Sequence, residues 1–164
     1  MSKDVSKKIL HLLSDNARYS NHDIAVMLGL EEADVEKKIA DMENEGIIRK
    51  YKTVVDWERL DHAYVSALIE IKVTPQPDLG FEQIAQNIMK YDEVESVYLM
   101  SGGFDLLVMV TGRTFQEVAL FVAKELAPMR SVVSTGTHFV LRRYKENNVE
   151  LLDSTVDDRG RISL

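Results

Sequence analysis

The sequence predicts an α+β chain made of two differently patterned parts, an N-terminal winged helix-turn-helix and a C-terminal ferredoxin-like β-α-β-β-α-β domain. Three observations carry this. Apolar residues recur at helical spacing up to about Gly46. The period then switches to strand alternation, seen first in Val65, Ala67, Ile69, Ile71 and Val73. Strands and helices then succeed one another in the ferredoxin-like order, separated by glycine and proline stops.

Val5, Ile9, Leu12 and Leu13 define a first amphipathic helix over residues 4–14. Ser20 opens a second helix, with Asp23 three residues on as a capping box, and Gly29 closes it. A third helix starts near Glu32, carries Val35, Ile39 and Met42 inward, and ends at Gly46. Ile47-Ile48 and the basic-edged run to Val55 read as an extended wing hairpin. The alternative is a plain three-helix bundle. The Leu28-Gly29-Leu30 turn and the immediate Gly46-Ile-Ile step favour the winged form.

The second part reads Tyr64–Val73 strand, ended by Pro75-Gln76-Pro77. A helix through Phe81, Ile84, Ala85 and Ile88 comes next, then strands Val94–Met100 and Phe104–Thr111 around Ser101-Gly102-Gly103. A helix from Phe115 to Leu126 stops at Pro128, and a last strand runs Ser131–Arg143. Both helices cover one sheet face, yet the run Leu106–Val110 is apolar on both faces. That predicts that the open face packs on a second copy of the chain. The expected organisation is therefore 1–52 winged helix-turn-helix, 53–63 connector containing Trp57, 64–144 ferredoxin-like domain, and 145–164 tail. The tail shows no period; a loose tail is the favoured reading and a terminal strand folded onto a neighbour the alternative.

Composition is that of a globular protein, with 45% hydrophobic and 29% charged residues. No apolar run reaches the roughly 18–20 residues that span a bilayer, and the N-terminus lacks a signal-peptide core. The absence of cysteine removes disulfides and thiolate chemistry and fits a cytoplasmic location. His11, His22, His62 and His138 are scattered, no phosphate-binding glycine-lysine motif occurs, and the paired acids Asp157-Asp158 fall in the tail. No catalytic residues, metal ligands or cofactor are expected, and an enzyme is not. The net charge of −7, with no segment basic overall, excludes a protein that coats nucleic acid by charge alone and leaves room for a local basic patch.

Several stretches carry a family resemblance. They are Ile9-Leu10, Ala17-Arg18-Tyr19-Ser20, Ile24-Ala25, Gly29-Leu30, Glu45-Gly46-Ile47-Ile48 and Tyr51. In the second domain they are Val97–Asp105, whose Ser-Gly-x-aromatic-Asp turn is the most specific piece, and Ser134–Thr137. With this domain order, the sequence over about residues 4–144 resembles the Lrp/AsnC regulators of bacteria and archaea. The resemblance implies a sequence-specific, double-stranded-DNA-binding transcriptional regulator that responds to a small effector, usually an amino acid. It also implies dimers formed through the sheets, and octamers built from dimers. Effector contacts carried over are Ser101, Gly102, Gly103 and Asp105, with Thr135, Thr137 and His138 on the facing strand. A free amino acid suits this set: Asp105 can pair with the ammonium and the Gly102-Gly103 N–H groups can hold the carboxylate. The competing reading of Asp105 is a cap on its own hairpin turn.

DNA contacts are expected from the start of the second helix at His22, from Lys37 and Lys38 on the third helix, and from Arg49, Lys50 and Lys52 on the wing. Lys3, Lys7 and Lys8 lie near the N-terminus. The third helix departs from the family pattern. Its usual Ser, Thr or Ser, and Arg positions read Glu31, Asp34 and Lys38. Carboxylates repel phosphate, though they can accept from a cytosine amino group, and Lys lacks arginine's bidentate fork. DNA binding is thus expected to be strongly salt-sensitive. The alternative reading is a ligand-sensing assembly protein in which DNA binding is weak or lost.

Overall fold

The computed structural model describes residues 2–60, 64–76 and 80–152, and the chain divides into two units, 1–54 and 55–164. Residues 61–63 of the connector, Pro77, and the tail beyond Leu152 with Asp157, Asp158 and Ile162 lie outside the described residues.

In the first unit, α1 (Ser2–Asp15), α2 (Asn21–Leu28) and α3 (Glu32–Asn44) bury Ile9, Ile24, Ala25, Val35 and Met42. The expected capping box is present. Ser20 Oγ accepts from the Asp23 N–H at 3.1 Å, and Asp23 Oδ2 accepts from the Ser20 N–H at 2.9 Å. The Ser20 hydroxyl, followed by the Ser20 N–H, holds the Asp23 carboxyl below its ordinary 3.8. A depressed folded value means that this contribution to stability is full above pH 3.8 and disappears as pH falls through the folded value. Ser20→Ala is expected to cost about 1 kcal/mol and to weaken this acid-dependent step, the backbone N–H at position 20 remaining as a donor to Asp23, read by helical circular dichroism during acid titration.

Gly29 takes the left-handed conformation (φ 65°), and the Leu30 N–H reaches back to the Ala25 carbonyl at 2.9 Å, which makes the tight turn between α2 and α3. Gly46 (φ 69°) does the same after α3. There the structure corrects the expected wing hairpin. The Ile47 and Ile48 N–H groups both donate to Met42 O, at 2.8 and 3.1 Å. They satisfy the end of α3 instead of opening a ladder, Ile48 packs on the head core, and residues 47–56 form no strand. The basic edge is an extended segment after the helix-turn-helix.

The second unit begins within the predicted connector, where Trp57–Leu60 forms a short helix, α4. Then come β1 (Val65–Val73), α5 (Phe81–Ile88), β2 (Val94–Leu99), β3 (Leu106–Gly112), α6 (Phe115–Phe121) and β4 (Val132–Phe139). The sheet is antiparallel in the order β2-β3-β1-β4. Alternate residues Ala67, Ile69, Ile71 and Val73, with Leu106, Val108 and Val110, are buried with Ile84, Ile88, Val118, Phe121 and Leu126. The opposite face carries Leu68, Leu107 and Met109, each only half-buried in the single chain. The predicted helix from Phe115 to Leu126 is α-helical only to Phe121; Val122–Leu126 is a π-turn in which the Ala127 N–H reaches Val122 O at 2.8 Å. At the end of β3 the Val118 side chain of α6 comes so near Gly112 that a Cβ there would lie at 2.9 Å.

The predicted tail also needs correction. β4 ends at Phe139, and Lys145–Glu146 (β5) pairs with Val149–Glu150 (β6) through Asn147 and Asn148, both at positive φ (47° and 66°). Two consecutive left-handed residues are the backbone of a type I′ turn, and asparagine tolerates them best after glycine.

Candidate functional site

In the head, α2, the Gly29 turn and α3 present α3 outward, buttressed from beneath by Ile9, Ile24 and Val35. Helical spacing places Asp34, Lys37, Asp41 and Asn44 along one exposed stripe. Lys38 lies beside this stripe and is half-buried. Sequence reasoning singled out Lys37 and Lys38 and missed Asp41 and Asn44. Extending the i, i+3, i+7, i+10 spacing from Asp34 reaches both. At the start of α3 the N-cap Glu31 makes no side-chain cap. Glu32 instead meets the ring of His22 from α2, with Oε2 3.3 Å from Nδ1. The position-22 side chain therefore spans the two helices of the motif.

Beyond α3, Lys50 and Lys52 are exposed, and the Arg49 guanidinium folds back over Gly46, 3.1 Å from where a Cβ would stand. Tyr51 donates to Glu43 Oε1 at 2.9 Å; burial first, and then this carboxylate, push the phenol above its usual 10.0. The bond pins the cationic segment against the end of α3.

In the second unit, the Ser101–Asp105 turn joins β2 to β3 at the end of the sheet where β1 finishes. Ser101, Gly102 and Gly103 are exposed, Gly102 sits at φ 153°, and open space surrounds the Cβ positions of both glycines. Asp105 locks the turn to the sheet. Its carbonyl accepts from the Met100 N–H at 2.8 Å, its N–H donates to Ile71 O at 3.0 Å, and its Oδ2 accepts from the Val73 N–H at 2.8 Å. One carboxylate oxygen thus caps the end of β1. Asp105→Ala should leave the part-buried Val73 N–H unpartnered at a cost of about 1–3 kcal/mol. Asp105→Asn keeps a carbonyl acceptor and should cost less than about 1 kcal/mol in urea unfolding.

The predicted facing-strand residues divide. Thr135 lies opposite Ile71 and Thr137 opposite Ile69, on the helix-covered side, whereas His138 lies opposite Leu68 on the open side. His138 Nε2 stands 3.5 Å from Glu70 Oε1 on that open face. Because β1 separates β4 from β3, these residues are about 10 Å across the sheet from the strand that carries the turn. One protomer does not bring the turn and the β4 residues together.

The comparisons fall on both units. A winged helix-turn-helix DNA-binding model matches residues 3–49, and the Lrp/AsnC ligand-binding-domain model matches residues 66–150. The chain is 42% identical over 156 residues to the HTH-type transcriptional regulator YugG of Bacillus subtilis, covering 94% of this chain and 93% of that protein. It is 29% identical over 146 residues to the leucine-responsive regulatory protein of Haemophilus influenzae, covering 88% and 87%. Among solved structures, a transcriptional regulator from Neisseria meningitidis in complex with L-Met superposes with a TM-score of 0.72 at 24% identity, over 87% of this chain and 91% of that one.

Proposed function

The chain belongs to the Lrp/AsnC family of transcriptional regulators, with a helix-turn-helix DNA-binding domain and a ligand-binding domain, and from that premise we propose that an amino acid bound at the Ser101–Asp105 turn tunes its hold on double-stranded DNA. The carrying observation is the turn itself. It is exposed, its two glycine N–H groups have no backbone acceptor among the described residues, and its acid is anchored by the β1 end. Such N–H groups suit a carboxylate, and the Asp105 charge suits an ammonium.

The binding unit in this reading is a dimer formed through the half-covered sheet face of Leu68, Leu107 and Met109. Because β1 keeps Thr135, Thr137 and His138 away from the turn of their own protomer, they complete the site from a neighbouring copy in a higher assembly such as an octamer. Lys37, Lys38, Arg49, Lys50, Lys52 and His22 are the proposed DNA-facing groups, and the place of action is the cytoplasm. Effector binding alters DNA affinity only as far as it distinguishes two assembly states.

L-Met and L-Leu are the first effectors to test, by calorimetry and by their effect on DNA affinity. The reading expects binding of at least one standard amino acid, a roughly 5–150-fold change in DNA affinity, and loss of both in Asp105→Asn. Calorimetry that detects no amino acid, or DNA affinity indifferent to a bound one, would overturn it. The second reading, a ligand-sensing assembly with weak DNA binding, draws on the acid-rich stripe of α3 and predicts the latter outcome.

A further inference from the structure

The second unit holds a cavity of about 480 Å³ that no functional reading above uses. It lies at the opposite end of the sheet from the Ser101–Asp105 turn. Its lining includes Val65, at the start of β1, whereas the turn is tied to Val73 at the end of the same strand. Eight residues of extended chain separate the two ends, about 26 Å. Five stretches build the cavity: the connector around Trp57, the start of β1 with Tyr64, Phe115 at the start of α6, the chain after β4, and Leu151-Leu152 after the β5–β6 hairpin.

The walls combine two kinds of surface. Trp57 and Tyr64 stack with centroids 6.0 Å apart, and Phe115 adds a third aromatic ring. Against these, among the described residues, stand three guanidinium groups, of Arg59, Arg142 and Arg143, and one carboxylate, of Asp56. Arg143 is structural. It packs 4.6 Å over the Tyr64 ring and donates to Glu146 and Ser66, fixing the hairpin to β1. Arg59 pairs with Asp56 at 3.2 Å, and Arg142 lies 5.7 Å over Tyr144 and is exposed. The lining is thus about evenly divided between apolar or aromatic surface and polar, mostly cationic, surface, at a volume typical of small-molecule sites.

We propose that this cavity is a second ligand site, distinct from the glycine turn, for a small organic acid with an aromatic or bulky aliphatic body. The ring or chain packs against Trp57 and Phe115, and the carboxylate meets the rim at Arg142 with Arg59 beside it. Val55, Asp56 and Trp57 immediately follow the head in sequence, so a ligand held here acts on the chain that leads from head to ligand domain.

Trp57 is the sole tryptophan, so its emission reports this cavity directly. The probe is 3-phenylpropionate, which does not absorb where tryptophan is selectively excited, titrated into the full-length protein. A saturable change in Trp57 emission is expected. It should be at least about tenfold weaker for the uncharged 3-phenylpropan-1-ol and about tenfold weaker in Arg142→Ala. Asp105→Asn, at the other end of the sheet, should leave it unchanged. No saturable response, equal affinity for acid and alcohol, or loss of the response in Asp105→Asn would each overturn the proposal. The alcohol comparison uses the unaltered protein, so it stands even if Arg142→Ala perturbs the fold.

Discussion

Lys37→Glu combined with Lys38→Glu is expected to weaken specific DNA binding by at least about 100-fold at roughly 0.15 M salt, while the new like-charge pairs with Asp34 and Asp41 cost the head about 1–2 kcal/mol and leave it folded. Lys37 lies on the exposed stripe of α3 between Asp34 and Asp41, and Lys38 flanks it, so these two cations offset the carboxylates of the face that would approach DNA. Reversal turns that face wholly acidic apart from Asn44. A dimer doubles the loss. If both lysines in both subunits contact phosphate, the slope of log affinity against log salt should fall by about 3 to 4. Fluorescence anisotropy over a salt series reads both quantities. An unchanged affinity would move the interface off α3.

Ile24→Ala is expected to abolish DNA binding by a different route, local unfolding of the head. Ile24 is wholly buried at the centre of a core with few members: Ile9, Ala25, Val35 and Met42 besides itself. Truncating such a side chain costs about 2–5 kcal/mol. A unit of 54 residues has, at roughly 0.05–0.15 kcal/mol per residue, about 3–8 kcal/mol of stability to lose. The second unit has its own larger core around Ile69, Ile71 and Val108 and should retain its fold. Hydrogen exchange followed by mass spectrometry should show α1, α2 and α3 losing protection while β1 and β3 keep it. Equal loss across β1 and β3 would show that the two cores do not act separately.

The elements that the sequence made legible were those with strong periodicity and local punctuation. The Ser20 cap, the Gly29 and Gly46 turns and the alternation of β1 all depend on neighbours within a few residues, and all appear as expected. The hairpin expected directly after α3 does not form because Ile47 and Ile48, despite strand-forming side chains, have N–H groups that lie where the end of α3 needs donors. The β5–β6 hairpin was missed because its strands are two residues long, too short for a period. Asn147-Asn148 was the available signal. Asp105 is legible as an acid in a specific turn, with a cap on its own turn as the competing reading. That its carboxylate holds the Val73 N–H is not legible, because the contact spans 32 residues. The cavity beside Trp57 was illegible for the same reason, since its walls meet only once the sheet has formed.

The central claim, that this chain is a DNA-binding regulator whose grip runs through a few cations set among carboxylates, is tested most directly by one measurement. Anisotropy of the full-length protein on DNA from upstream of its own gene, against scrambled DNA, should be followed across a salt series. The account predicts a preference for the upstream DNA and an affinity that falls steeply and linearly in log salt. Equal binding to both DNAs, or an affinity indifferent to salt, would contradict it.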